Sequence, residues 1–200
     1  TSKITTTVQT TTTQQVSIAN ETAVSTTSSG TSVAQATAAA SSSQNQSKYE
    51  ANVASVAGKM DNRVIAAYQQ LGFKLVVDPS VNYSGYFDAR SRSITMKQID
   101  DSVYHELGHF LAFIAGNVDK TASFQSIFAA EKANVTAFNK AYVTQNASEY
   151  FAESVKDYIL NNASLKSTRP QTYAAVQNAL NQITDAQIAK IQKIYGAFWN

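Results

Sequence analysis

Every aromatic residue of this chain lies after position 48, and that asymmetry decides where a fold can form. The first 47 residues contain no Phe, Tyr or Trp, carry charge only at Lys3 and Glu21, and are otherwise dominated by Thr, Ser, Gln and Ala. Such a stretch cannot bury enough apolar surface to offset the conformational entropy lost on ordering. Thr1–Ser47 is therefore read as a disordered Ser/Thr-rich tail or spacer. The folded domain is expected over Lys48–Asn200, with all ten tyrosines, nine phenylalanines and the one tryptophan. That length encloses a single core.

Charge is nearly balanced, with 16 basic and 14 acidic side chains, a net +2. No Lys/Arg cluster stands out, which argues against nucleic acid or an anionic membrane as partner. The absence of cysteine removes disulfides, thiolate ligands and a thiol nucleophile. There is no apolar run long enough to span a bilayer, and the first residues do not pair a basic segment with an apolar one, so neither membrane insertion nor a leader is expected. The expected state is a monomer.

Along the domain, Val53, Val56, Met60, Val64, Ile65, Tyr68 and Leu71 recur at helical spacing until Gly72, which predicts one amphipathic helix. Phe73–Val77, Tyr83–Ala89 and Ser93–Lys97 read as strands, the last two joined by a turn at Arg90–Arg92, which makes a sheet of about three strands. The remainder reads as helical: Ser102–Ala115, Thr121–Lys132, a helix starting near Ser148, one opened by Pro170, and one opened by the Thr184/Gln187 capping box and running towards Trp199. The expected class is α+β, a small sheet followed by a helical bundle.

The only two histidines stand four residues apart in His105-Glu106-Leu107-Gly108-His109. Four residues of α-helix turn through about 400°, so both imidazoles share a face, one turn apart. Two nitrogens so placed can bind one zinc ion, and the intervening Glu106 can accept a proton from water acidified by the metal. The competing reading is a helix that carries these residues for no purpose. Val103, Leu107, Phe110, Leu111 and Ile114 make the helix core-facing, however, and burying that many ionisable groups without a metal would be costly.

A catalytic zinc needs a third protein ligand, and with histidine and cysteine exhausted it must be a carboxylate. Asp119 and Glu131 are candidates. Glu149 and Glu153 are stronger ones, because like charges at i and i+4 repel unless a cation or proton donor lies between them. Glu149 would bind the metal and Glu153 would hold an imidazole N–H behind it. The alternative is a pair of solvated glutamates, which are common on helices.

His105-Glu-Leu-Gly-His109 followed by Glu149-Tyr-Phe-Ala-Glu153 resembles the catalytic domain of anthrax lethal factor and the related secreted Pro-Pro endopeptidases. Ala122–Glu131 and Leu165–Tyr173 are more similar to the endopeptidases. The resemblance is good from about Asp101 to Leu180, loose over Lys48–Asp100 and absent before that. It implies a zincin-like domain with one zinc per chain held by His105, His109 and Glu149, with Glu106 as general base and Glu153 as the carboxylate behind the ligands. It also implies that Tyr142, seven residues before Glu149, stabilises the oxyanion, a role that spacing alone would not separate from Tyr104 or Tyr150. One departure bears on proline-directed cleavage: the family's long tryptophan-containing stretch before the zinc helix has no counterpart in Asp78–Ile99, and the only tryptophan is Trp199.

The expectation is thus a secreted or cell-surface zinc endopeptidase acting on peptides or proteins, with the substrate strand pairing along Ile94–Lys97. Two rivals are a toxin-type protease acting on a host protein and a catalytically silent, zinc-stabilised surface module. The first needs a delivery partner. The second would have lost Glu106 or the open metal position.

Overall fold

The computed structural model describes residues 47–199. The reading of Thr1–Ser47 as a spacer lies outside the described residues, apart from Ser47 itself.

Four short strands form one sheet: β1 (Tyr49–Ala51), β2 (Lys74–Val77), β3 (Gly85–Asp88) and β4 (Ser93–Met96), in the order β1-β2-β4-β3. β2 and β4 run parallel, with Val77 opposite Met96, while β1 on β2 and β3 on β4 are antiparallel. The sheet has one strand more than the sequence suggested, because β1 is only three residues long and two of them are exposed. Its order also overturns the expectation for Ile94–Lys97. β4 is bonded on both sides and has no free edge to offer a peptide, so among the described strands the edges are β1 and β3.

The helix expected over Val53–Leu71 is broken into α1 (Val53–Val56) and α2 (Asn62–Gln70). Asn52 and Asp61 each cap a helix start, their side chains accepting from Ala54 and Arg63 amides, so the chain begins a second helix where periodicity alone sees one. The apolar spacing survives the break, since Val53, Met60, Val64, Ile65, Tyr68 and Leu71 are all buried.

Seven further helices follow among the described residues: α3 (Ser102–Ile114), α4 (Ala122–Glu131), α5 (Lys140–Val143), α6 (Ala147–Leu160), α7 (Asn162–Thr168), α8 (Pro170–Asn181) and α9 (Asp185–Tyr195). Pro170 occupies the first turn of α8 as expected, and Thr184 opens α9 by accepting from the Gln187 backbone N–H. The other half of the expected box does not form, because the Gln187 side chain donates to the Ile114 carbonyl at 2.7 Å instead. The architecture is α+β.

α3 is the central element. All but Ser102 and His109 of its residues are buried, which is the pattern of a helix enclosed on every side. It packs lengthwise on α6 and against β3. Phe110 meets Tyr68 and Phe73 edge-on, and Phe113 leans on Tyr195. Trp199 closes this cluster, its indole Nε1 donating to the Ala89 carbonyl at 2.9 Å in the β3–β4 turn. The single tryptophan is a structural pin for the hairpin.

Candidate metal centre

The seam between α3 and α6 is set by two small residues. A Cβ placed on Gly108 would lie 2.7 Å from both the Cα and the carbonyl oxygen of Ala152, so the two backbones touch there and only glycine fits. Gly108 lies between His105 and His109, and Ala152 lies between Glu149 and Glu153. The contact therefore draws one helix's imidazoles onto the other's carboxylates.

The Nε2 atoms of His105 and His109 lie 3.1 Å and 3.6 Å from the same oxygen, Glu149 Oε2. One donor atom from each of the three residues falls within 4.8 Å of the others, a group able to hold a metal ion. His105 presents its other nitrogen, Nδ1, to Glu153 Oε2 at 2.9 Å, and Glu153 is steadied in turn by Lys156 at 3.6 Å. His105 is thus held from behind while its Nε2 faces the group.

Electrostatics follow the geometry. Burial alone would lower the pKa of His105, but its hydrogen bonds to Glu149 and Glu153 outweigh that and raise it from 6.5 to about 9. Burial of Glu149 pushes the other way from its hydrogen bonds with His105 and His109, and the latter prevail, holding the carboxyl well below the usual range. Glu153 is likewise lowered, the His105 bond overcoming burial. A proton held on His105 thus offsets part of the charge of the two carboxylates it touches.

Glu106 points from the same helix towards β3 and is 7% exposed. Burial raises its pKa, opposed in part by the nearby imidazoles and by the Phe87 backbone amide. Tyr142, on α5, is 53% exposed, and its ring centre lies 6.5 Å from that of His105. Partial burial and the negative charge of Glu149 push its phenol up to about 12, so the hydroxyl keeps its proton at neutral pH.

The two other carboxylates considered as ligands lie elsewhere. Glu131 is buried at the start of α8, accepting from the amides of Gln171 and Thr172 at 3.0 and 2.9 Å and from the Thr172 hydroxyl at 2.7 Å. It serves that helix terminus, where a carboxylate is favoured. Asp119 accepts from the Ser148 hydroxyl and lines a cavity of about 180 Å³ beside His109 and Phe87, outside the three-residue group. Tyr150 points away into the core, its hydroxyl 2.7 Å from Thr172 Oγ1. Gly108 and Ala152 were not singled out from the sequence, where small residues beside the ligands were the only sign of a close helix contact.

These features define a pair of closely packed helices that presents a His/His/Glu group with a buried glutamate and an exposed tyrosine beside it. Residues 89–179 match the family model for anthrax toxin lethal factor, N- and C-terminal domain. The chain is also 41% identical over 78 residues to the Pro-Pro endopeptidase of Clostridioides difficile (strain 630), covering 37% of this chain and 34% of that protein. Both findings support the lethal factor-like resemblance read from the sequence, over a partial stretch that in the family match includes all six residues discussed as the site. The match spans about a third of the curated relative's length. No helix among the described residues is long and apolar enough to cross a membrane.

Proposed function

We propose that this chain is a zinc-dependent endopeptidase of zincin type, in which His105, His109 and Glu149 hold one zinc ion. The observation that carries the reading is the approach of both histidine Nε2 atoms to one carboxylate oxygen, at 3.1 and 3.6 Å. Ligands bonded to zinc at about 2.0–2.1 Å in a tetrahedron stand roughly 3.3–3.4 Å apart, so these separations bracket the required edge. The donor set fits as well, since two neutral imidazoles and one carboxylate leave a fourth position open. Support for peptide cleavage comes from the name of the 41% identical relative.

A zinc ion bound there would acidify a water and polarise the scissile carbonyl. The rest is done by side chains of this chain. Glu106, whose proton affinity is raised by burial, accepts the water's proton and passes it to the leaving amine. Tyr142, protonated at neutral pH, donates its hydroxyl hydrogen to the oxygen that gains charge. Glu153 holds His105 Nδ1, fixing which nitrogen faces the site. A substrate strand would add to β3, the free edge beside α3.

The catalytic domain in this reading is Lys48–Asn200, a monomer acting outside the cell, with Thr1–Ser47 as a spacer. Proline-directed cleavage is attributed to the relative by its name and is a specificity to be tested for this chain.

The test is cleavage of a diverse peptide library read by mass spectrometry, with metal content measured in parallel. The expected result is one zinc per chain, cleavage abolished by a chelator and restored by zinc, and loss of several orders of magnitude in Glu106→Gln with zinc retained. Undiminished cleavage in Glu106→Gln would refute the mechanism. A chain that binds zinc and cleaves nothing in the library would favour the silent surface module.

A further inference from the structure

Glycine is a poor strand residue, since it weakens pairing and contributes no side chain to packing, so one inside a strand asks for a reason. Gly85 begins β3, in register with fully buried Met96 of β4. Its backbone gives no reason: the glycines in the left-handed region among the described residues are Gly72 and Gly116, and Gly85 is not one of them. Any residue could adopt its conformation.

Space does give a reason. A Cβ on Gly85 would lie 2.6 Å from Glu106 Oε1, 2.7 Å from its Cγ and 2.9 Å from its Cδ, distances that real Cβ atoms essentially never show. The absent side chain's volume is filled by the buried carboxylate of Glu106. Both backbones are held in place, β3 by its pairing with β4 and α3 by its contact with α6 at Gly108. The Glu106 side chain is the part that can rotate. A larger residue at 85 would therefore cost the fold little and the carboxylate its place.

We infer that Gly85 is a positioning residue whose missing Cβ forms the seat of the Glu106 carboxylate and aims it at the metal group. The inference rests on the peptidase reading for its kinetic consequence but not for its structural one.

The experiment compares Gly85→Ala, Glu106→Gln and the double variant in the full chain loaded with zinc. Gly58→Ala serves as control, because its nearest neighbour to an added Cβ is at 3.7 Å. Expected for Gly85→Ala are full zinc content and a near-unchanged Tm, with kcat down about 100-fold and KM within about threefold, in the range general-base loss produces. Because the seat acts only through Glu106, adding Gly85→Ala to Glu106→Gln should cost no more than about a further twofold, so the double variant falls to the level of Glu106→Gln alone, far short of the product of the single losses. Gly58→Ala should behave as the parent.

A second readout does not need turnover. In protein labelled with ¹³C at the glutamate carboxyls, six signals are expected from the six glutamates, and Glu106→Gln identifies one. That signal should move in Gly85→Ala while those of Glu149 and Glu153 stay. An unmoved signal, a loss confined to KM, or single losses that multiply in the double variant would overturn the inference, the latter two by assigning Gly85 to substrate contact. If the parent chain cleaves no peptide, the peptidase reading fails, and the carboxyl signal still decides the seat.

Discussion

The candidate site is assembled from two regions of opposite character. The α3–α6 seam is backbone against backbone at Gly108 and Ala152, with His105, Glu106 and Glu153 buried beside it. The segment that supplies Tyr142 is a helix of four residues, α5, in which only Val143 is buried, preceded by a stretch in which Phe138 is fully exposed and only Val135 is buried. In the proposed reading, the geometry that would hold the metal is built where two main chains touch, and the group that would meet only the reacting substrate stands on a lightly packed element. Damage to the first region should destroy the site, whereas damage to the second should slow it.

The most severe break of the seam is Gly108→Ala. Alanine would gain about 1 kcal/mol in helix propensity. Against that, its Cβ would meet backbone atoms at 2.7 Å, and overpacking of this kind typically costs about 1–3 kcal/mol when atoms can yield, more when they are main chain. The helices must part, taking Glu149 from the histidines. Zinc affinity and activity should both collapse, activity by about 10³-fold or more, since a misplacement of about 1 Å alone costs about 10²-fold. Equilibrium dialysis against zinc checks this, and a variant with parental affinity would show that the seam does not set the ligand distances.

On the loose side, Tyr142→Phe removes only a hydroxyl. Loss of one oxyanion donor costs about 10²–10³ in kcat, and with zinc as a second electrophile the lower end is expected. KM, zinc content and Tm should change little, because the half-exposed ring keeps its place and the hydroxyl gives up only a bond to the Glu149 carboxylate, which zinc would engage instead. Steady-state kinetics beside a melting curve make the check, and a loss of Tm without loss of kcat would contradict the assignment.

Proton balance at the seam sharpens the contrast further. In zinc-free protein the pKa of His105 is raised from 6.5 to about 9, so its bonds to Glu149 and Glu153 stabilise the fold fully below pH 6.5, and that contribution is lost as the pH rises through about 9. Zinc must displace the same proton. Apparent zinc affinity should therefore climb about tenfold per pH unit between pH 7 and 9, with close to one proton released at pH 7. Calorimetry in buffers of differing ionisation enthalpy counts it, and binding independent of pH would remove His105 from the ligand set.

What could be read from sequence divides along the same line. The histidines, Glu106 and the Glu149/Glu153 pair were legible because each lies within one or two turns of a single helix, where spacing maps directly onto a face. Pro170 and the Thr184 cap were legible for the same local reason. The break between α1 and α2 was hidden because its apolar spacing continues across the cap at Asp61. The sheet order was hidden because β4 lies between β2 and β3, a pairing that strand patterns do not encode, and with it went the choice of free edge. The Gly108–Ala152 and Gly85–Glu106 contacts depend on elements distant in sequence, and Tyr142 was reachable only through resemblance.

The mildest prediction concerns Tyr150, which directly follows Glu149 and would be confused with Tyr142 by any argument from proximity in sequence. A residue one step along a helix points about 100° away. Its ring is fully buried between α4 and α8, 6.1 Å from Phe124 and 5.2 Å from Phe128. Thr172 already donates its hydroxyl to Glu131, so Tyr150 must be the donor in the 2.7 Å contact with Thr172 Oγ1. Removing the hydroxyl leaves Thr172 Oγ1 with one bond fewer and takes the phenol oxygen away from the neighbouring Arg169 guanidinium. The cost should be about 1 kcal/mol, or about 2–4 °C in Tm for a domain of this size. Activity below the melting range should stay within about a factor of two of the parent, because nothing between Tyr150 and the metal group is displaced when the ring stays in place. The two tyrosines then give opposite results, Tyr142→Phe losing rate at constant Tm and Tyr150→Phe losing Tm at constant rate. If Tyr150→Phe instead lowers kcat at unchanged Tm, the oxyanion donor has been assigned to the wrong helix and α5 loses its part in the site.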